Sequence, residues 1–227
     1  MKYSLLFVLF FPFVLSAQDT IVSSVIDSKF REDHFYLGIH FNTFQNKPEG
    51  FSQRKLSPGF HFGYLRDIPV NEKRTLAIAP GLGFSYMSNN LNMVIEEIEE
   101  QFLYQTVNPN SFSKNRLSYY SIDFPIELRW RNATPEKHSF FRVYTGFKMS
   151  YLLRSIYVNE SQNVTTRIYN NPNINRFIYG LYVAAGYNTW NVYAYYGLNS
   201  IFNKDAQLNG VPLKISSFSL GLQFYIL

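Results

Sequence analysis

The stretch from Tyr119 to Arg131, YYSIDFPIELRWR, alternates almost without fault. Tyr120, Ile122, Phe124, Ile126, Leu128 and Trp130 hold the even positions, and Tyr119, Ser121, Asp123, Pro125, Glu127 and Arg129 the odd ones. A period of two sends successive side chains to opposite faces of a strand, whereas a helix would not sort them this way. The stretch therefore reads as a strand with one apolar and one polar face. Soluble strands usually run about 5 to 6 residues, while a strand tilted across a bilayer needs about 9 to 11. Six outward apolar residues in succession meet the second requirement.

Seven further stretches alternate in the same way: Phe35 to Phe44, Ser57 to Arg66, Thr75 to Met87, Ser139 to Leu153, Arg176 to Asn188, Trp190 to Phe202 and Ile215 to Leu227. Bulky apolar residues take one face of each, and Gly, Ala, Ser and polar residues recur on the other. The connections sort by length. The first, third, fifth and seventh run to roughly 12, 30, 22 and 12 residues, against roughly 8, 7 and 2 for the second, fourth and sixth. Outer-membrane barrels have short periplasmic turns and longer extracellular loops, and an even strand number. The chain thus predicts an all-β fold, an eight-stranded antiparallel transmembrane β-barrel with short periplasmic turns and long extracellular loops. Trp130 and Trp190 both fall at the periplasmic rim with outward parity, where interfacial belts favour tryptophan.

The first residues predict export. Lys2 precedes an apolar run, Leu5 to Leu15, and then Ser16 and Ala17. The run is too short for a spanning helix and has the form of a signal peptide, so residues 1–17 are expected to be removed. Residues 18–34 read as a polar periplasmic leader, and 35–227 as the barrel. With 22 Phe and 18 Tyr, aromatics reach 19% while charged residues stay at 16%, a mix suited to an outer surface that meets lipid. The absence of cysteine excludes disulfides and thiolate metal sites. The net charge of +5 is dispersed, so no nucleic-acid surface is indicated; the expected partners are outer-membrane lipid and the machinery that inserts barrels.

The last strand carries Ser219, Gly221, Phe224 and Ile226, in the order polar, x, Gly, x, x, apolar, x, apolar. This pattern resembles the C-terminal β-signal read by that insertion machinery. Three segments together, SIDFPIELRW (121–130), VYTGFKMSYLL (143–153) and YAYYGLNSIFN (193–203), resemble the PorT-like outer-membrane β-barrel family of the Bacteroidota. The resemblance spans roughly 35–227. It implies the same barrel and a link to type IX secretion components, without a catalytic motif or a cofactor to carry over.

The inward face offers the candidate chemistry. Asp123, Glu127, Arg129, Arg142 and Lys148 share inward parity, and His40 and His61 lie on the inward faces of adjacent strands. Charges in a narrow lumen must be paired, and eight strands leave an interior that side chains can fill. A plug of paired charges, closed by Tyr144, Tyr182, Tyr193 and Tyr195, is the expected arrangement. A metal site on His40 and His61 lacks a third ligand by spacing, and a hydrolase built from Ser121, His61 and Asp123 lacks any local nucleophile motif. Pro125 removes a ladder hydrogen bond in mid-strand and predicts a bulge there. The acidic run IEEIEE, 95–100, sits in a long insertion that periodicity leaves open between a hairpin and a short helix.

Overall fold

A computed structural model describes residues 33–53, 56–99, 101–108, 110–132, 141–161 and 164–226. The signal peptide and nearly all of the leader lie outside the described residues, as do most of the turn after Asn132 and the first two residues of the fifth predicted strand. Fourteen strands follow in chain order: β1 (His34–Gln45), β2 (Pro58–Leu65), β3 (Ile68–Pro69), β4 (Leu76–Asn90), β5 (Met93–Ile98), β6 (Gln101–Thr106) and β7 (Lys114–Arg131). Then come β8 (Phe141–Ser161), β9 (Val164–Tyr169), β10 (Phe177–Tyr187), β11 (Trp190–Gly197), β12 (Gln207–Leu208), β13 (Val211–Pro212) and β14 (Ser216–Ile226).

Eight of them close a barrel in the order β1, β2, β4, β7, β8, β10, β11, β14, with β14 pairing back onto β1. Every neighbouring pair is antiparallel, from Phe35 opposite Ile226 at the seam to Ile122 opposite Tyr151 in the wall. Closure leaves no free edge within the wall, which matters because lipid offers backbone groups no hydrogen-bond partner. The outer face is mainly apolar, with Phe35, Leu128, Phe141 and Leu181 exposed. Aromatic residues ring both of its margins: Trp130, Phe141, Tyr187 and Trp190 at the end of the short turns, and Tyr86, Tyr120, Tyr151 and Phe177 at the other. Ten residue steps separate Trp130 from Tyr120, which at about 3.3 Å each and a tilt near 40° gives a band of about 25 Å, the height that a bilayer demands.

Inside the wall, large and small residues face each other across the ladders. Gly38 stands opposite His61, Gly59 opposite His40, and Gly146 opposite Tyr182. A Cβ at Gly38 would run into the His61 ring, so the glycine is what lets that ring lie across the lumen. Such alternation is how a narrow barrel fills its interior.

Three expectations change in the structure. No bulge forms at Pro125, which stays in register opposite Lys148; instead the β4–β7 ladder opens between the pairs Pro80–Ile126 and Gly83–Asp123 with no change of register. The missing N–H is absorbed by a gap rather than by an extra residue. The bulge lies higher, where Tyr120 faces Arg154 and Ser121 faces Leu152, so that Leu153 is the extra residue. The segment 154–175, expected as a polar loop, instead prolongs β8 and turns back as β9. Finally, the seventh strand ends at Gly197 and not at Phe202, because Ile201 and Phe202 turn inward, Ile201 N–H bonding to Ile215 O at 2.8 Å and Phe202 bridging Ile174.

The long insertion resolves as a hairpin. Strands β7 and β8 contain 18 and 21 residues, roughly twice what crossing requires, and continue above the upper aromatic ring. The hairpin β5–β6 folds against this extension and joins β12 and β13 in a second sheet, with Leu208 paired in parallel to Tyr104. Met93, Ile95, Leu117, Tyr157, Ile201, Leu213 and Ile215 form the centre of its apolar core. Each such side chain contributes about 1.5–3 kcal/mol on burial. The extracellular segments are therefore a folded cap with a core of its own.

Candidate functional site

Two polar layers occupy the lumen. The one nearer the short turns is built on Glu127, whose Oε1 accepts hydrogen bonds from Tyr182 and Tyr225 at 2.9 Å each. Its Oε2 accepts from Arg129 Nε at 2.8 Å. Arg129 also donates to Asp67 Oδ1 at 3.0 Å and lies 3.2 Å from His34 Nδ1. Arg131 grips the same Asp67 with two parallel bonds of 3.0 and 2.9 Å. This fork geometry pairs both oxygens of the carboxylate, the strongest arrangement open to an Arg–Asp pair. Tyr144 stacks under Arg129, 4.9 Å from the guanidinium carbon, and Arg142 lies against the rings of Tyr144 and Tyr225 at 5.7 Å.

The second layer sits midway up the barrel. Asp123 Oδ1 accepts from Ser150 at 2.6 Å, Ser85 at 3.1 Å and Ser121 at 3.4 Å, while Oδ2 faces Lys148 Nζ at 3.5 Å. Lys148 also reaches the Tyr193 hydroxyl and lies over the Tyr195 ring at 4.8 Å. His40 and His61 stack with centroids 5.0 Å apart. His61 Nε2 contacts Gln223 Oε1 at 3.1 Å, and His40 Nε2 contacts Met87 Sδ at 3.0 Å.

The structure thus brings Asp123 and Lys148 into one layer, with His40 and His61 beside Tyr193, and Glu127, Arg129 and Arg142 into the other. Among the described residues the lumen holds four cations, Arg129, Arg131, Arg142 and Lys148, and three anions, Asp67, Asp123 and Glu127. Burying such charges is costly unless each finds a counter-charge and its hydrogen bonds. Two voids among these side chains are about 30 and 10 Å³, each with room for one or two waters.

The arrangement does not form a nucleophilic relay. Ser121 Oγ bonds Ser85 and the Asp123 carboxylate rather than an imidazole, and His61 Nε2–H donates to Gln223 Oε1. No group of three metal-ligating side chains occurs among the described residues, and His40 and His61 have only Met87 and Gln223 as polar or sulfur partners at their Nε2 atoms. Trp130 and Trp190 point outward at the end of the short turns. Phe224 packs edge-on against Trp190 at 4.8 Å, Ile226 is exposed, Gly221 lies against His40, and Ser219 turns inward to bond Asn42 at 3.1 Å. Glu96, Glu97 and Glu99 stand exposed toward the tip of the β5–β6 hairpin, and Glu100 lies outside the described residues.

Asp67, Arg131, His34 and Gln223 belong to the lumen but were not singled out by sequence. Arg131 shares the odd parity of Glu127 and Arg129, so extending the pattern by one step finds it. Gln223 has the inward parity of Ser219 and Gly221. Asp67 carries no periodic signal, since it reaches the lumen from a turn, and His34 falls at the end of the stretch that reads as the leader.

In the cap, Tyr157 donates its side chain to the assembly differently: its hydroxyl oxygen accepts from Ile95 N–H at 3.1 Å, and burial pushes its phenol up to about 12. Tyr104 is likewise raised by burial, and its hydroxyl oxygen accepts from Asn171 Nδ2 at 3.0 Å.

A closed eight-stranded barrel with an apolar outer band, aromatic margins and a plugged lumen defines an outer-membrane β-barrel protein. Residues 17–203 match the outer membrane protein beta-barrel domain family, and the chain belongs to that family. The protein therefore resides in the outer membrane. No curated protein matches the sequence. Among solved structures, the chain is similar to Ail, the attachment invasion locus protein of Yersinia pestis, with 14% identity over 86% of this chain and 99% of that one, at a TM-score of 0.40. It is also similar to a triple mutant of the Rhodopseudomonas blastica porin, with 8% identity over 87% of this chain and 100% of the porin, at a TM-score of 0.21.

Proposed function

We propose that the protein is a non-enzymatic accessory or assembly component of protein secretion, of the PorT-like type IX kind, that works by protein contact. The observation that carries this reading is the division between a lumen filled by paired charges and an extracellular side folded into a cap. A filled lumen offers no route for solute, so action falls to the exposed surfaces, and a cap with its own core presents a fixed surface. The resemblance of the segments 121–130, 143–153 and 193–203 to PorT-like barrels is what suggests the link to secretion.

Deleting the gene should block export of type IX cargo, and a chain lacking the β5–β6 hairpin (93–106) should insert normally yet fail to restore export. A mild-detergent pull-down of the tagged protein should recover secretion components. An unchanged secretome in the deletion strain would replace this reading with a surface-binding or membrane-structural barrel. The purified barrel should show no sustained conductance in planar bilayers, and stable single-channel steps would reopen solute transport.

A further inference from the structure

Below the bulge in β8, even-numbered residues from Arg142 to Leu152 face the lumen and odd-numbered ones face lipid. The extra residue Leu153 inverts that order, so Leu153 and Arg154 are both exposed on the outer face, and the following even positions keep outward parity, with Ile156 half-buried and Val158 covered by its neighbours. Bulges are known to re-aim side chains in this way. Without it, Arg154 would point into the barrel.

Arg154 emerges at the upper aromatic margin, paired in register with Tyr120 and one step above Tyr151. Its guanidinium lies 5.1 Å from the ring centre of Tyr169, itself an outward residue of β9. Two positions further along that face comes Arg167, exposed, and Arg116, Val158 and Arg167 stand on one register line across β7, β8 and β9. Two strand spacings, roughly 9–10 Å, separate the backbones of the two arginines on that line. The carboxylate on this face among the described residues, Glu160, is taken by Lys114 at 3.0 Å. The surface thus reads, from the membrane upward, as exposed Leu153 and Tyr151, then Arg154 on Tyr169, then Arg116 and Arg167.

We propose that this outer face of the β7–β8–β9 extension binds the phosphates of an outer-leaflet glycolipid headgroup. Its apolar foot meets acyl chain, and its three guanidinium groups stand where phosphates of such a lipid lie, directly above the aromatic margin. Arginine suits the task because its planar fork matches phosphate oxygens bidentately. The site lies on the lipid-facing side of the wall, where a soluble anion has poorer access than a lipid already in the leaflet.

The test uses the full barrel in detergent, titrated with bisphosphorylated lipid A and with its phosphate-free form, binding being read by native mass spectrometry. Parent protein should bind the phosphorylated lipid about tenfold or more tightly, in line with the attraction of each basic residue near an anionic surface. Replacing Arg116, Arg154 and Arg167 together by Gln should abolish the preference, while Lys204→Gln with Lys214→Gln, on exposed cap positions elsewhere, should leave it intact. A heat-dependent shift in gel mobility confirms that each variant is folded, and Arg154→Gln alone serves if the triple variant is not. Equal binding of both lipids by the parent would overturn the proposal. So would an equal loss in the lysine control, which would indicate diffuse charge, or full competition by millimolar inorganic phosphate, which would make the face a free-phosphate site.

Discussion

The lumen and the cap are two interiors of one molecule built on opposite rules. Within the membrane wall the exposed side chains are mainly apolar while the buried ones include the charged groups, histidines and a cluster of tyrosines; above the upper aromatic margin charged side chains such as Glu96, Glu97 and Arg167 stand exposed and the buried core is mainly Ile, Leu, Met, Phe and Tyr. The difference follows from the solvent. Lipid takes the apolar face of each strand, so whatever polarity the chain carries must turn inward and pair, as Asp67 does with Arg129 and Arg131. The cap stands in water and hides apolar surface in the ordinary way. Strand β8 passes from one regime to the other, and its bulge at Leu153 marks the change.

The largest effect should come from breaking a lumen pair. Asp67→Ala takes the carboxylate from Arg131 and one of the two carboxylates from Arg129, and is expected to cost about 3–5 kcal/mol, read as a lower urea midpoint for the folded gel form in lipid vesicles. A cost near zero would mean that water enters the lumen freely and that the two interiors are less distinct than described. Next, the same change on the two outward faces should differ. Ile126→Lys, at mid-height in lipid, should cost about 2–4 kcal/mol, whereas Ile156→Lys, just above the bulge, should stay within about 0.5 kcal/mol. Equal costs would place the membrane boundary higher than Arg154.

Smaller effects should confine themselves to the cap. Tyr157→Phe removes the acceptor for Ile95 N–H, a loss of about 1–3 kcal/mol if that donor stays dry, and should quicken amide exchange in β5 while leaving the barrel's midpoint unchanged. The raised phenol also gives a pH signature. Its folded value lies above the ordinary one near 10, so its contribution is present below pH 10 and is lost as pH rises toward about 12. Proteolysis of the cap should therefore rise above pH 10 in the parent and less steeply in Tyr157→Phe. Matching profiles would assign the alkaline loosening to another group.

Gln223 shows how parity assigns a face without naming a contact. Alternation sends it inward, so Phe224→Asp should reduce insertion through the lipid face. Gln223→Asp is no neutral control, because its side chain holds His61, and the outward Leu220 is the better comparison for Phe224.

Sequence by itself determined the eight wall strands, their inward and outward faces, their order along the chain and the end at which the short turns lie. Each strand crosses lipid alone in pattern, so period two over ten or so residues is local information and survives without knowledge of neighbours. Tertiary structure decided the rest. Leu153 becomes a bulge only because β7 and β8 pair out of step above it, and Asp67 enters the lumen only because its turn folds under the barrel. The hairpin β5–β6 takes its place because Tyr157, Tyr104 and Ile201, far apart in the chain, converge to bury Met93 and Ile95. Those contacts depend on which side chains meet across closed strands, and no period in the sequence records that.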